Sequence, residues 1–231
     1  MKRVSLAAAI ALTFPLMIPA QTASLTRGHI RAFGEASVSV KPDIARLTVS
    51  VTTEATTAQE ASALNASRST AVFAALEQAV GKNGEIKTLS YVVTPKYSYP
   101  RDSAPVLSGF TATNTVEVAL TDLNITGRII DTAISAGATR VDSLRLMLKD
   151  EEPARAQALR LAGQKARARA DAIALGVGVR VGPLVSAEEG FTSPVPVITD
   201  RGAASTAITT PIETGTLEVR AQITVEYEIL P

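Results

Sequence analysis

The chain has 231 residues, with 23 Lys and Arg against 22 Asp and Glu, a formal charge of +1. That balance leaves no strongly basic surface of the kind nucleic acid requires, and the absence of cysteine excludes disulfides, thiolate metal sites and cysteine nucleophiles. Hydrophobic residues make up 46% of the chain but aromatic residues only 4%, so a sizeable core must be built from Ala, Val, Leu and Ile.

Residues 1–20 read as a secretory signal. Lys2 and Arg3 supply the charge, Val4 to Ile18 the apolar region, and Ile18-Pro19-Ala20 a cleavage site. The apolar run is short for a membrane span, and no later segment has a spanning run. A retained N-terminal anchor is the alternative reading.

Gly34 to Val51 reads as one long strand interrupted in its middle. From Ile30 to Val40 the even positions are apolar or small: Ile30, Ala32, Gly34, Ala36, Val38 and Val40. After Pro42-Asp43 the odd positions take over, with Leu47, Val49 and Val51. A regular strand cannot swap faces, so the flip demands a bulge, a bend or a change of sheet. Pro42 suits that place, because it cannot donate to a central ladder. Asp43 is read as part of the bend and not as a catalytic acid.

Thr57-Ala-Gln-Glu60 predicts a capping box opening a helix. Leu64, Val72, Leu76 and Val80 fall on its core face, and Gly81 and Gly84 end it. Glu85 to Tyr99 reads as a strand that Pro95 confines to an edge or a bulge. Tyr97 to Ser108 reads as a loop. Phe110 to Thr121 alternates cleanly and forms an antiparallel hairpin with the preceding strand. Asp122 caps a short helix, Leu123 to Ala136, with Leu123, Ile130 and Ile134 inward and Gly137 as its stop.

Val141 to Lys149 is a strand. A third helix runs from about Glu151 to Leu175, capped by Asp150 and closed by Gly176. Its expected core face is Ala154, Ala158, Leu161, Ala168, Ala172 and Leu175. A strand lies near Gly182 to Glu189. Residues 190–215 have no periodicity and are rich in Pro, Thr, Ala and Gly, a composition that marks a contact loop or a disordered one. Thr216 to Ile229 alternates strictly, with Leu217, Val219, Ala221, Ile223, Val225, Tyr227 and Ile229 on one face.

The order predicts an α+β fold. Two strand-helix-strand-strand units, about 28–121 and 122–231, are joined by the short helix, with mixed, mostly antiparallel sheets of long amphipathic strands.

Candidate chemistry is sparse. His29 is the single histidine and has no orienting partner nearby in sequence. Asp150, Glu151 and Glu152 could meet Glu188 and Glu189 around a hard cation, but helix-end electrostatics explain the first three and the spacing matches no calcium loop. Lys165 lies near the alanine-rich face of the third helix, where a desolvated lysine could contact a ligand or act as a nucleophile. A lysine there more often snorkels to the rim. Arg155, Arg160, Arg167 and Arg169 form no single stripe for phosphate. Tyr91, Tyr97 and Tyr99 share strand parity and are the candidate partner surface.

Taken together, these stretches resemble the SIMPL-domain family, whose bacterial members include periplasmic immunogenic and oxidative-stress-defence proteins. The matching residues are GEASVSVKPDIA (Gly34 to Ala45), GFTATN (Gly109 to Asn114) leading into Val116-Glu-Val118, and Asp122-Leu. GRIID (Gly127 to Asp131), Gly137-Ala138, the Lys165-Ala pair, and Pro211 to Gly215 before the last strand continue the series. Phe110 stands where the family pattern suggests tyrosine. The resemblance implies an exported, periplasmic or outer-envelope α+β protein in a ring-like or channel-like homo-oligomer, and it brings no catalytic residues.

The expected function is therefore non-enzymatic. The protein acts through protein surfaces, as a homo-oligomer or with other envelope proteins, and without metal, cofactor or nucleic acid. Any part in oxidative-stress tolerance is indirect, since Met147 is the one methionine after the signal. The alternatives are a periplasmic small-molecule-binding module using Lys165, and a hydrolase using Ser or Lys.

Overall fold

The computed structural model describes residues 28–101, 104–190, 195–197 and 210–231. The expected signal segment, and most of the expected loop 190–215, lie outside the described residues. In chain order the elements are β1 (His29–Val40), β2 (Ile44–Ala55), α1 (Ala58–Val80), β3 (Gly84–Ser98) and β4 (Val106–Leu120). A 3-10 turn at Leu123–Ile125 runs into α2 (Thr126–Ser135). Then come β5 (Arg140–Met147), α3 (Glu152–Gly176), β6 (Arg180–Gly190), β7 (Val195–Val197) and β8 (Thr216–Leu230).

The phase flip at Pro42 is a change of sheet. β1 pairs antiparallel with β8 along its whole length, from His29 opposite Glu228 to Val40 opposite Leu217. β2 instead sits inside a second sheet of order β3-β4-β2-β5. Residues 41–43 carry the chain across, and Asp43 holds the crossing. Its amide donates to the Met147 carbonyl at 3.1 Å, and its Oδ1 accepts from the Lys149 amide at 2.6 Å. The passage from β1 to β2 is thereby clasped to the passage from β5 to α3.

The α+β class and the long, mostly antiparallel amphipathic strands are as expected. One pair of strands changes places between the two units: β5 completes the sheet of β2, β3 and β4, and β1 joins β8 and β6.

The sheet of β2, β3, β4 and β5 carries a large-aliphatic core. Leu47 and Val49 face Val118 and Val116 across the β2–β4 ladder. Val72, Leu76 and Val80 of α1 and Ile129 and Ala133 of α2 cover them. Thr57 caps α1 by accepting from the Glu60 amide at 3.2 Å. Glu60 does not close the expected box; its carboxylate accepts from the Thr56 hydroxyl at 3.2 Å.

Two expectations about the helix faces fail here. Leu64 is exposed, and Asn65 and Ser69 are buried in its place. Asn65 Nδ2 donates to the carbonyls of Val51 at 2.8 Å and Ala112 at 2.9 Å, and Ser69 Oγ donates to Asn65 Oδ1 at 3.2 Å. These bonds offset the desolvation of a buried amide, which a count of apolar positions cannot anticipate. In α2, Ile129 and Ile130 are buried and Ile134 is exposed. Thr126, Ile129, Ile130 and Ala133 form the inward face, and Ile134, next to the last residue of the helix, is left outside it.

The sheet of β1, β8 and β6 is covered by α3, which packs on β1 and β8. The buried residues of α3 are Ala154, Ala158, Ala162, Ala166, Ala170 and Ala174. Leu161, Ala168, Ala172 and Leu175, expected inside, are exposed, Leu175 by 83%. A row of every fourth residue is a ridge inclined to the helix axis by about 26°. Burying that ridge sets α3 obliquely across the strands, whereas the expected face assumed a straight stripe.

Gly34 lies under this ridge. A Cβ there would stand 2.0 Å from the Ala162 carbonyl oxygen and 2.7 Å from the Ala166 nitrogen. The segment entering β8 returns over α2 in a similar way. A Cβ on Gly127 would meet the Thr210 carbonyl oxygen at 2.2 Å, and Asp131 accepts from the Thr210 hydroxyl at 2.7 Å and from its amide at 3.3 Å. Ile212 then packs against the large-aliphatic core.

Two substitutions test these packing claims. Gly34→Val drives a side chain into helix backbone that cannot yield, so it should cost about 3 kcal/mol or more in urea unfolding. Asn65→Ala strips the Val51 and Ala112 carbonyls of their donor and should cost roughly 2–4 kcal/mol. A loss below about 1 kcal/mol in either variant would contradict the packing described.

Candidate functional site

β3 is an edge strand, consistent with Pro95, and its hairpin with β4 outruns the sheet. β2 ends at Ala55, opposite Phe110. β3 and β4 continue, pairing Lys96 with Gly109, Tyr97 with Leu107 and Ser98 with Val106. The strands thus reach into the stretch expected to be a loop, β3 as far as Ser98 and β4 from Val106 onward. The alternation needed to see this is broken by register shifts at Thr88/Ser90 and Lys96/Tyr97. Gly109 sits where the arm departs, with φ +153° and only 2.7 Å between its would-be Cβ and the Ala55 carbonyl oxygen. Glu54 and Lys96 form an ion pair of 2.5 Å at the base.

This two-stranded arm is apolar on its surface. Tyr91 and Tyr97 are 49% and 47% exposed, and Tyr99, just past the end of β3, is 77% exposed. Val106 and Leu107 on the facing strand are also exposed. Of the three tyrosines singled out from sequence, Tyr97 stands on the protruding arm and Tyr99 follows it, whereas Tyr91, opposite Asn114, lies on the part of β3 that is still within the sheet.

Lys165 lies elsewhere. It is exposed, beside the alanine ridge of α3 rather than on it. With Ala168 and Arg169 it forms one wall of an open groove of about 660 Å³ whose other wall is Glu35, Ala36 and Ser37 of β1, joined by Glu218 and Arg220 of β8. Arg220 donates to Glu218 at 2.9 Å. That hydrogen bond, and after it one from Ser37, holds the Glu218 carboxyl below the usual range.

Other polar groups lie away from the arm and the groove. The face of the β3-β4-β2-β5 sheet turned away from α1 carries a row of hydroxyls bonded to one another. Ser50 lies 3.0 Å from Thr115, Thr52 lies 3.2 Å from Thr113, and Ser143 donates to Thr48 at 3.2 Å. Ser50 also donates to Asp142. His29 is exposed at the start of β1. Asp150 Oδ1 accepts from the Glu152 amide at 3.0 Å at the start of α3. Arg155 Nε donates to Glu189 at 2.9 Å, and the hydrogen bond and charge of Glu189 raise the arginine's pKa further. Among the described residues, no three His, Asp or Glu side chains come together as a metal site.

Sequence reasoning missed the length of the arm, the buried Asn65 and Ser69, and the groove. The positions wrongly assigned to the core of α3 were the one available signal for the groove, since Ala168 lines it.

The family model for SIMPL, a protein of unknown function (DUF541), matches residues 30–227. The 26 kDa periplasmic immunogenic protein of Brucella melitensis is 26% identical over 211 residues, covering 87% of this chain and 84% of that one. The uncharacterized protein YggE of Edwardsiella ictaluri is 29% identical over 167 residues, covering 72% and 70%. YggE of Escherichia coli K12 is 27% identical over 207 residues, covering 88% and 84%. No helix among the described residues is long and apolar enough to cross a membrane.

The geometry assigns Asp43 a clasp. Asp43→Asn keeps an acceptor for the Lys149 amide and should lose no more than about 1 kcal/mol, whereas Asp43→Ala should lose about 1.5–3 kcal/mol. Equal losses in the two variants, measured by urea unfolding, would contradict the clasp.

Proposed function

The chain belongs to the SIMPL family, and from that membership and the exposed arm we propose that it is an exported periplasmic protein acting by protein–protein contact. It assembles with copies of itself, and the β3–β4 arm is the contact surface. The observation that carries this reading is the arm itself, an apolar two-stranded ribbon at a sheet edge. Large exposed apolar patches mark interaction sites, and long strand edges must be paired or protected. The periplasmic assignment is supported by the printed name of the Brucella relative and by the signal-like N-terminus. Catalysis plays no part in this reading. A contribution to oxidative-stress tolerance would be exerted through the envelope assembly, since Met147 is the one methionine after the signal and cysteine is absent.

The small-molecule alternative calls for an enclosed pocket with a cation pointing inward. The groove at Lys165 is open and lined largely by charged side chains, which favours contact with a polypeptide over capture of a small molecule.

The test is the mass in solution of the signal-free protein and of the triple variant Tyr97→Ser, Tyr99→Ser, Leu107→Ser. These side chains are at least 47% exposed, so the fold should survive, as circular dichroism would show. Light scattering should report a multiple of the chain mass for the parent and a single-chain mass for the variant. A parent that stays single-chain at high concentration contradicts the assembly, and a variant with unchanged mass contradicts the arm as its surface.

A further inference from the structure

β1 is the terminal strand of its sheet, in the order β1-β8-β6, so among the described residues one side of its backbone has no strand beside it. One bond shows which groups face that side. Arg169 Nη1 donates to the Phe33 carbonyl at 2.7 Å, from a helix that does not belong to the ladder. The Phe33 backbone therefore points away from β8. Backbone groups alternate sides along an antiparallel strand, so those of Glu35 and Ser37 point the same way.

The flank of α3 beside this edge carries Leu161, Lys165, Ala168 and Ala172, spaced four, three and four residues apart on one helical face. All are exposed. The small residues leave room next to the edge, and the groove already described lies between the two. Gly34 sets its depth by letting α3 approach β1 so closely.

We propose that this cleft takes an extended acidic segment of a partner polypeptide as an added strand beside β1. Strand addition between a sheet edge and a helix is a recurring way of binding peptides, with affinity from the main chain and selectivity from alternate side chains. An added strand would lie about 4.8 Å from β1. Every second side chain would then meet the α3 flank.

The charge at that wall selects acid. Among the described residues Lys165 has no ion pair or hydrogen bond, and Arg169 is engaged only with the Phe33 carbonyl and ring. The acidic groups that also line the groove, Glu35 and Glu218, belong by strand parity to the face turned from α3, where Arg220 lies beside them. When a strand arrives, its amide takes over the Phe33 carbonyl and Arg169 is released to join Lys165 against the incoming carboxylate. This site is separate from the β3–β4 arm and does not depend on assembly through it.

The test uses two fluorescein-labelled decapeptides, one alternating Val and Glu and one alternating Val and Lys, with binding read by anisotropy. The Val/Glu peptide should bind, at least about tenfold more tightly than the Val/Lys peptide, and Lys165→Glu should weaken it about tenfold. Glu35→Pro removes an amide on the free edge, which a terminal strand tolerates, and should abolish binding with the circular dichroism unchanged. Amide exchange at Phe33, Glu35 and Ser37 should slow when the peptide is bound. Equal binding of the two peptides, binding of neither, or no effect of Lys165→Glu or Glu35→Pro would overturn the proposal. If Glu35→Pro lowers the mass of the protein without peptide, the edge is filled by a second copy of this chain, and the partner assignment is likewise overturned.

Discussion

The close approach of α3 to β1 at Gly34 is the contact on which the arrangement of the β1-β8-β6 sheet depends. With a side chain at Gly34, the Ala162 carbonyl and the Ala166 amide would have to move away. The ridge of six alanines beneath α3 would then lose its floor. After Val40 the chain leaves this sheet, and Pro42 and Asp43 carry it to the other one. The same contact leaves the outer side of β1 without a strand among the described residues and shapes the groove beside it.

The two layers are held together by different means. The layer of α1 and α2 buries Leu, Ile and Val, each worth about 1.5–3 kcal/mol, and anchors α1 with a bonded asparagine. In the layer of α3, each buried helix residue contributes one alanine methyl, worth about 0.8 kcal/mol per carbon. Such a helix is stabilised by many close contacts, and so by fit more than by area. Tyr227 adds to that fit, buried in the sheet with the Arg167 guanidinium 4.9 Å from its ring centre. The crossings between layers are secured by hydrogen bonds, Asp43 to residues 147 and 149 and Asp131 to Thr210. Both aspartates lie in the stretches that carry the family resemblance. Their roles here are structural.

Much of this was legible because it obeys local rules. The cap at Thr57, the stops at Gly81 and Gly137, the alternation of β8 and the flip at Pro42 each depend on a few neighbouring residues. What failed depends on distant ones. A flip does not say which sheet receives the strand, so the exchange of β1 and β5 was hidden. In α3, Ala168 and Ala172 are as apolar as Ala166 and Ala170, and only the docking angle on β1 decides which are covered. Asn65 reads as polar until the Val51 and Ala112 carbonyls are brought to it. The arm was lost because the β3–β4 ladder carries two register shifts, β3 contains Pro95, and Pro100 follows shortly after its end. For the candidate surface, the tyrosines were found from their parity, but the protrusion of Tyr97 and Tyr99 beyond the end of β2 was not.

The arm is the surface on which the proposed assembly of this protein rests. Hydrogen exchange across the β3–β4 hairpin, measured as a function of protein concentration, examines it directly. A bare two-stranded ribbon in water exchanges quickly. The account predicts that amides 96–98 and 106–109 become protected as concentration rises, while those of β8 stay unchanged. Fast exchange in the arm at every concentration would contradict it.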